Sequence, residues 1–360
     1  MNLRMHRRAF LLTSALIANP AARAAVVYPS VTPRALAFPR DHGAHPDFRT
    51  EWWYLTGWLD ASPPTGFQVT FFRTRTTVDP ANLSRFAAHQ LVIAHAAIAQ
   101  PARGHLLHDQ RIARAGFGIA QTSTADTDVA VDRWTLARRA SDGAYVCHVL
   151  AREFALRFTA RPTQPPLLQG SDGFSRKGPK PAQASYYYSQ PQLAIEAELA
   201  LGGAASKLKG TAWLDHEWST TLLDPDAAGW DWIGMNLDDG GALTAFRIRR
   251  KGDGSPLYAY ASLRPKAGAP VQVFAPDAVR FEALARWESP RTRARYAVAQ
   301  RISVGTRVFE TRPLFDDQEL DSRATTGAVY WEGASTLREQ GREVGRGYLE
   351  MTGYVSPITL

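Results

Sequence analysis

Thr211-Ala212-Trp213-Leu214-Asp215-His216-Glu217-Trp218-Ser219 is the stretch from which the fold and a candidate site can be argued first. It holds two carboxylates, one histidine and two tryptophans, and runs that resemble β-strands lie on both sides of it. In a β-strand, successive side chains point to opposite faces. Each face then combines apolar bulk with a titratable group: Leu214, His216 and Trp218 on one, Trp213, Asp215 and Glu217 on the other. This pattern is typical of a strand that borders a cavity.

A second tryptophan motif, Gly229-Trp230-Asp231-Trp232-Ile233-Gly234, follows shortly after the first. Acids and a histidine concentrated beside tryptophans favour a site, because such groups acquire perturbed pKa values where water is excluded. The alternative is structural: a solvated acidic face next to a hydrogen-bonded core histidine. The residues alone leave both interpretations open.

Composition indicates a globular protein with room for two ordinary domains. The chain has 360 residues, of which 45% are hydrophobic and 21% charged, and its 27 glycines and 23 prolines are spread along the sequence. This distribution suits many short strands joined by turns. Cys147 is the only cysteine, so an intramolecular disulfide is excluded, and its strand-like surroundings predict a small buried side chain.

The first 24 residues have the features of an export signal. A basic segment with Arg7 and Arg8 precedes a short apolar run, and Ala22-Arg23-Ala24 is a cleavage pattern. The arginine pair resembles a twin-arginine signal, and export by the general secretory route is the alternative. We therefore expect residues 1–24 to be a signal peptide and the mature chain to be periplasmic or secreted.

Loss of that segment would remove four arginines and no acids, which lowers the formal net charge from +8 to +4. The basic balance of the whole chain is therefore no argument for nucleic-acid binding. We find no later run that is long and apolar enough for a transmembrane helix. The sequence has no HxH or HExxH pattern and no phosphate loop, so it predicts neither a metal site nor a cofactor.

Alternating strand patterns run through nearly the whole chain beyond the leader. Residues 49–59 and 67–73 predict a hairpin, with Glu51 on the face that carries Trp53. About fifteen such segments predict an all-β protein of two tandem antiparallel barrels or sandwiches. We place the boundary after the first motif, which gives an N-terminal domain at 25–224 and a C-terminal domain at 225–360. The two tryptophan motifs would then face each other across the junction.

Five motifs in order resemble the lipocalin-like family of predicted secreted hydrolases, which is related to carotenoid 1,2-hydratases. They are Phe38-Pro39-Arg40-Asp41-His42-Gly43, Glu51-Trp52-Trp53-Tyr54, Leu214-Asp215-His216-Glu217-Trp218-Ser219, Gly229-Trp230-Asp231-Trp232 and Tyr330-Trp331-Glu332-Gly333-Ala334. The resemblance implies two lipocalin-like barrels. It also implies that His216 and Trp218, with Asp231 as the downstream acid, protonate an isolated alkene. Some members resemble periplasmic components encoded beside exporters, so an ABC-type exporter is an expected partner.

These observations lead to two hypotheses about function. In the first, an exported enzyme binds a hydrophobic isoprenoid- or lipid-like ligand and hydrates or hydrolyses it by acid–base chemistry. A G-x-S-x-G nucleophile motif is absent, so the residues do not support the hydrolase label of the family, and a hydro-lyase or a hydrolase stays open. In the second, the same pocket carries a lipid or amphiphile without chemistry.

The site residues expected for these hypotheses fall into two groups. His216 or Asp231 would be the acid, and Glu51 or Asp215 would orient His216, since carboxylates fix imidazole tautomers. Tryptophan faces would stabilise a carbocation. The expected ligand-binding residues are Trp218, Trp230, Trp232, Trp53, Tyr187 and Gln68.

Overall fold

The structure is a computed structural model that describes residues 26–358. In that range it contains 23 β-strands and, as helical segments, only three single 3₁₀ turns at Arg40–His42, Pro101–Arg103 and Pro276–Ala278. The predicted all-β fold of two lipocalin-like antiparallel units is confirmed. The expected signal peptide at 1–24 lies outside the described residues. None of the helices described is long and apolar enough to cross a membrane.

The first thirteen strands form one antiparallel sheet. They are β1 (Thr50–Leu59), β2 (Thr65–Arg75), β3 (Gln90–Ala99), β4 (Leu107–Arg114), β5 (Ala120–Thr122), β6 (Asp128–Val131), β7 (Trp134–Arg138), β8 (Tyr145–Leu150), β9 (Phe154–Arg161), β10 (Leu167–Leu168), β11 (Phe174–Arg176), β12 (Ala184–Leu201) and β13 (Ala204–Ser219). The sheet order is β4-β3-β2-β1-β13-β12-β9-β8-β7-β6-β5, with β10 and β11 pairing to β12. Strands β5 and β6 return to contact β3, so the sheet curls into a nearly closed barrel.

The remaining ten strands form the second antiparallel sheet. They are β14 (Ala227–Leu237), β15 (Ala242–Arg250), β16 (Pro256–Arg264), β17 (Gln272–Phe274), β18 (Val279–Glu288), β19 (Arg295–Val304), β20 (Arg307–Pro313), β21 (Glu319–Asp321), β22 (Val329–Glu339) and β23 (Arg342–Met351). The order is β17-β16-β15-β14-β23-β22-β20-β19-β18, with β21 pairing to β22. Strand β18 at one edge contacts β15 and β16 near the other, so this sheet also curls on itself, and we call it the second barrel. The structure has more strands than the sequence pattern predicts, because strands of two or three residues are too short to show alternation.

Three apolar clusters organise the interior. Each sheet encloses one cluster, because its inward positions are apolar along nearly every strand. The third cluster lies between the sheets and takes residues from both, among them Tyr54, Trp213, Trp232 and Tyr330. The two sheets therefore share a packed interface, and this interface contains the candidate pocket.

Hydrogen bonds also join the two sheets at this interface. The indole N–H of Trp58 on β1 donates to the carbonyl of Gly347 on β23, at 2.9 Å. The amide of Asn236 on β14 donates to the carbonyl of Ala212 on β13, at 3.1 Å. Gly347 is required for close approach, since a Cβ at that position would lie 1.9 Å from the carbonyl oxygen of Gly234.

Candidate functional site

A cavity of about 100 Å³ opens between the outer face of β1, β2 and β13 and the facing side of β14, β15, β22 and β23. Its volume is somewhat below that of apolar cavities known to bind a benzene-sized group. Trp52, Phe72, Leu223 and Trp230 are only half-buried and form its mouth. The lining is mainly aromatic and aliphatic, and several carboxyl groups project into it. We call this space the inter-sheet pocket.

Glu332 is the acid with the most distinctive surroundings in the inter-sheet pocket. It is fully buried on β22, and its Oε1 accepts a hydrogen bond of 2.5 Å from the hydroxyl of Tyr54. Its Oε2 has no hydrogen-bond partner among the described residues. Burial, reinforced by the charge of Glu350, raises the pKa of Glu332 well above its usual range. Burial therefore favours the neutral carboxylic acid at Glu332, and Oε2 is the oxygen atom that remains for a ligand.

Glu350 lies next to Glu332, because the two residues are cross-strand partners on β23 and β22. The indole N–H of Trp230 donates to its Oε2 at 3.0 Å. Burial raises the pKa of Glu350 to about 7, although this hydrogen bond favours the carboxylate. The pocket thus contains one acid whose neutral form burial favours beside one whose pKa is raised to about 7, an arrangement suited to proton donation and acceptance.

Asp215 is the third acid in the pocket, and its orientation is fixed. Its Oδ1 accepts hydrogen bonds from the Ser189 hydroxyl (2.6 Å) and the Trp213 indole (2.7 Å), and its Oδ2 from the Tyr187 hydroxyl (2.7 Å). Burial raises the pKa of Asp215 to about 7, with these hydrogen bonds opposing the shift. Trp232 in turn donates its indole N–H to the Tyr187 hydroxyl, at 3.1 Å. These contacts join the two sheets through Asp215.

Lys177 supplies the cationic group of the pocket. Its ammonium nitrogen lies 3.0 Å from Glu217 Oε1 and sits 4.4 and 4.2 Å from the ring centres of Tyr187 and Phe246. Burial lowers the pKa of Lys177, and the charge of Glu217 opposes that shift. The charge of Lys177 is balanced by Glu217, so Lys177 does little to stabilise the charged forms of the other acids in the pocket.

His216 faces the opposite way, into the first barrel. Its Nε2 lies 2.9 Å from Glu51 Oε1, and the same oxygen is 2.8 Å from Nδ1 of His45. Arg73 donates from Nε to Glu51 Oε2 at 2.9 Å, and Asp41 Oδ1 lies 3.0 Å from Nε2 of His45. Burial lowers the pKa of His216, partly opposed by Glu51. We call these five residues the barrel cluster.

The barrel cluster forms a continuous hydrogen-bond network. The ligand atoms of His45, Glu51 and His216 lie within 4.8 Å of one another, as a metal site would require. Each is already engaged at hydrogen-bond distance, and the guanidinium of Arg73 is paired with the same carboxylate. An added dication would meet this buried positive charge, so the residues fit a proton-bearing network better than a metal site.

The structure divides the residues predicted for one site between two faces of β13. Asp215, Tyr187, Trp230 and Trp232 meet at the inter-sheet pocket. A further four point into the first barrel: Glu51 and His216, with Trp53 stacked on His216 at 4.7 Å and Trp218 stacked on His45 at 3.7 Å. The expectation that they share a pocket with Trp230 is wrong, because adjacent strand positions face opposite sides.

Gln68 lies on the pocket side of β2 but does not line the cavity. Its side-chain amide donates to the hydroxyl of Thr70, which does line it. The expected contact between Glu51 and His216 is present, whereas Asp215 lies on the other face and cannot orient that ring.

Asp231 is not in the pocket, which corrects its assignment as the acid. It lies between Trp230 and Trp232 along β14, so its side chain points into the second barrel. There it is fully buried and accepts hydrogen bonds from Arg247 (2.7 Å), Arg249 (3.1 Å) and Tyr354 (3.0 Å). With two arginines bound to it, this carboxylate is an ion-pair partner rather than a proton donor.

We expect Asp231→Asn to weaken the second barrel and leave the inter-sheet pocket functional. The change leaves buried arginine charge without a counter-ion, which costs about 3 kcal/mol of unfolding free energy. Urea titration measures the change in unfolding free energy. Asp226→Asn is the control, because Asp226 is exposed and its ion pair with Arg250 is long, at 3.9 Å. Unchanged stability together with lost pocket binding would contradict this assignment.

Sequence and structure comparisons agree on a family. A family model described as AttH-like matches residues 29–354. The chain belongs to the AttH-like family. A solved structure from Nitrosomonas europaea, assigned as AttH, is 52% identical with a TM-score of 0.85, and the match covers 91% of this chain and 100% of that one. No protein with a curated description matches the chain.

Two more distant structures share the fold of this AttH-like chain. Kievitone hydratase from Nectria haematococca is 15% identical with a TM-score of 0.68, covering 89% of this chain and 94% of that one. CghA is 13% identical with a TM-score of 0.54, covering 93% and 96%. At such identities the likeness shows the two-barrel fold alone.

Sequence reasoning missed the acids of the second barrel that matter most for the AttH-like pocket. Glu332 belongs to a motif noted for the family resemblance, and Glu350 to an alternating strand, but neither was predicted as a site residue. The available signal was a carboxylate set among aromatic and small residues, as in Tyr330-Trp331-Glu332-Gly333-Ala334. A buried acid at such a position indicates either an ion pair or a site.

Proposed function

We propose that the inter-sheet pocket binds an apolar ligand with a carbon–carbon double bond and adds water to it. The observation that carries this proposal is the position of Glu332, a buried carboxyl group whose unpartnered oxygen lies among aromatic side chains and whose neutral form is favoured by burial. Protonating an alkene carbon requires an acid that keeps its proton at neutral pH in a site shielded from bulk water. Glu332 meets both requirements.

The proposed reaction uses both glutamates. Glu332 gives the proton on Oε2 to one alkene carbon, and the π electrons form the new C–H bond, which leaves a carbocation on the other carbon. A water oxygen attacks that carbon while Glu350, as the carboxylate, accepts one proton of the water. Glu350 then returns this proton to Glu332, its cross-strand neighbour. The net change is the addition of one water to the double bond.

Aromatic faces provide the stabilisation that the carbocation requires. Trp52, Trp230 and Trp232 line the pocket with Phe72 and Phe246. A cation over such rings gains about 0.5–2 kcal/mol from each, more when water is excluded. Trp230 and Trp232, which were expected from the sequence to serve this purpose, retain that role in the proposal, whereas Trp218 faces the first barrel.

The family resemblance supports the same reaction class. Kievitone hydratase, whose name states a hydration, has the same two-barrel fold, and the motif with His216 and Trp218 resembles that of carotenoid 1,2-hydratases. In our proposal these two residues do not contact the ligand; they hold β13, which presents Asp215 to the pocket. An isoprenoid or other unsaturated lipid-like chain is the ligand class that the aromatic lining favours, with its double bond in the cavity and the rest of the chain leaving through the mouth at Trp52 and Trp230.

The proposal is tested by incubating the protein with geraniol and farnesol in ¹⁸O-labelled water, with their saturated analogues as matched controls. We expect mass spectrometry to find products that contain one added labelled water, from the unsaturated alcohols only. Stoichiometric recovery of unaltered probe would instead support the carrier hypothesis. Absence of both binding and product would reject this ligand class.

Export remains a prediction from residues 1–24, and we propose that the chain acts in the periplasm or outside the cell. An ABC-type exporter as partner rests on the family resemblance alone.

A further inference from the structure

Four large apolar side chains project into solvent from two neighbouring loops at one end of the first barrel. Leu83 is 93% exposed and Phe86 is 72% exposed in the loop between β2 and β3. Phe117 and Ile119, 48% and 52% exposed, belong to the loop between β4 and β5. We call these four residues the apolar tip. Exposed apolar patches of this kind on soluble domains commonly mark interaction sites.

The apolar tip is a single surface, because contacts connect the two loops. The rings of Phe86 and Phe117 stack with 5.6 Å between their centres. Arg114 donates to the Phe86 carbonyl at 2.7 Å, and its guanidinium carbon lies 4.4 Å from the centre of the Phe117 ring. Arg85 lies 5.8 Å from the same ring. The tip therefore combines apolar groups with two arginines.

The backbone at Phe117 indicates that its exposure is not incidental. Phe117 and Gly118 have φ values of 59° and 70°, and the N–H of Ile119 donates to the Gly116 carbonyl at 3.1 Å. These are features of a two-residue hairpin turn with positive φ at both central positions, where asparagine, aspartate and glycine are favoured. A phenylalanine is locally unfavourable at this position, and half of its side chain stays exposed although it stacks on Phe86, so a binding partner outside the chain would account for it.

The loops of the tip leave the first barrel at the end where Thr50 borders the inter-sheet pocket. One row of cross-strand partners runs from Thr50, which lines the pocket, through Thr74 and Leu91 to Arg114. Three inter-strand spacings separate its ends, or about 14 Å along the sheet. A surface that holds the tip would therefore lie close to the pocket mouth at Trp52 and Phe72.

We propose that the apolar tip docks on an anionic lipid bilayer and brings the pocket mouth near the membrane surface. Leucine and phenylalanine side chains insert at the boundary between headgroups and acyl chains, and arginines reach lipid phosphates. The loop between β2 and β3 has one acid, Asp79, and its carboxylate is engaged in a local turn, where it accepts a hydrogen bond from the N–H of Ala81. A second copy of this chain is disfavoured as the occupant, because self-association through the tip would oppose two pairs of arginines.

Vesicle flotation tests the docking, using the protein as purified in its processed form from its own cells. We expect it to float with vesicles of phosphatidylglycerol and phosphatidylcholine and to bind pure phosphatidylcholine at least tenfold more weakly. Phe86→Ser combined with Phe117→Asn should reduce binding to the anionic vesicles at least tenfold. Asparagine suits the positive φ at position 117, so this variant keeps the turn intact.

Val273→Ser is the matched control, since Val273 is 54% exposed on the second barrel, and it should bind like the unaltered protein. Failure of the unaltered protein to float, or equal flotation of the double variant, would overturn the proposal. Loss of a dimer in the double variant, measured by light scattering without lipid, would assign the tip to a second copy instead. The docking does not depend on hydration, so loss of either activity leaves the other measurable.

Discussion

Replacing Glu332 with glutamine is expected to abolish hydration while the ligand still binds. Glutamine has nearly the same shape, and its carbonyl oxygen can accept the hydrogen bond that Tyr54 now donates. It carries no proton of sufficient acidity for an alkene carbon. Because general acid catalysis contributes about 10²–10⁴-fold, we expect the rate to fall by about that factor. The measurement is incorporation of labelled water, with ligand binding followed by tryptophan fluorescence.

The companion variant Glu350→Gln tests the proposed base separately from the proposed acid, Glu332. In the unaltered protein, burial raises the pKa of Glu350 to about 7, so its carboxylate accumulates as the pH rises through 7. If Glu350 accepts the proton from water, the rate rises over this range. Glu350→Gln should be slower and should lose this part of the pH dependence, whereas Glu332→Gln should be inactive at every pH.

Glu282→Gln is the control for both variants, because Glu282 is exposed on the second barrel and remote from the pocket lining. It should retain full activity. If Glu332→Gln hydrates at the unaltered rate, Glu332 is not the acid, and Asp215, whose pKa burial also raises to about 7, becomes the next candidate. If the unaltered protein binds ligand and never converts it, the pocket belongs to a carrier.

Alternation in the sequence was enough to predict the two faces of β13. The structure places Asp215 and Glu217 on one side and His216 and Trp218 on the other, as the strand pattern requires. The pattern could not say what each face packs against, since both carry apolar and titratable groups. The misassignment of Asp231 has the same origin. Asp231 directly follows Trp230, and the side chains of adjacent strand residues point to opposite faces.

The pairing of distant strands is the second feature that the sequence did not reveal. Glu332 meets Tyr54, a residue 278 positions earlier, through the contact between the two sheets. A strand pattern predicts that strands exist, but the register between strands depends on packing along their whole length. The acids of β22 and β23 could therefore be recognised as buried carboxylates, but not placed opposite the tryptophans of β1 and β14.

Replacing Glu51 with glutamine is expected to destabilise the first barrel severely. All the groups around this buried carboxylate donate hydrogen bonds: Arg73 Nε, the backbone N–H and Nδ1 of His45, and His216 Nε2. A glutamine amide would set its own N–H groups against one of these donors and leave the Arg73 charge unpaired. Breaking a buried pair costs about 3–5 kcal/mol, a large part of the 5–15 kcal/mol typical of a domain.

The pH dependence of the unfolding free energy is a second test of the same prediction. Burial alone would raise the pKa of Glu51, but hydrogen bonds from His216 and His45 and the charge of Arg73 outweigh it and hold that pKa well below its usual range. A carboxyl whose pKa is depressed by folding stabilises the native state above its unfolded pKa of about 4.3 and loses this contribution as the pH falls. Most of this loss occurs below the unfolded pKa, so urea unfolding at pH 7 and at pH 3 should differ less for Glu51→Gln than for the unaltered protein.

Two further variants decide whether the barrel cluster is structural. Glu153→Gln, an exposed change on the same barrel, should alter the unfolding free energy by less than about 0.5 kcal/mol. Arg73→Met added to Glu51→Gln removes the unpaired charge, so the double variant should recover part of the lost stability. Because the cluster lies on the far side of β13 from the pocket, the folded fraction of each variant should hydrate at the unaltered rate. A loss of rate beyond the loss of folded protein would instead show that the cluster communicates with Asp215 through the strand they share.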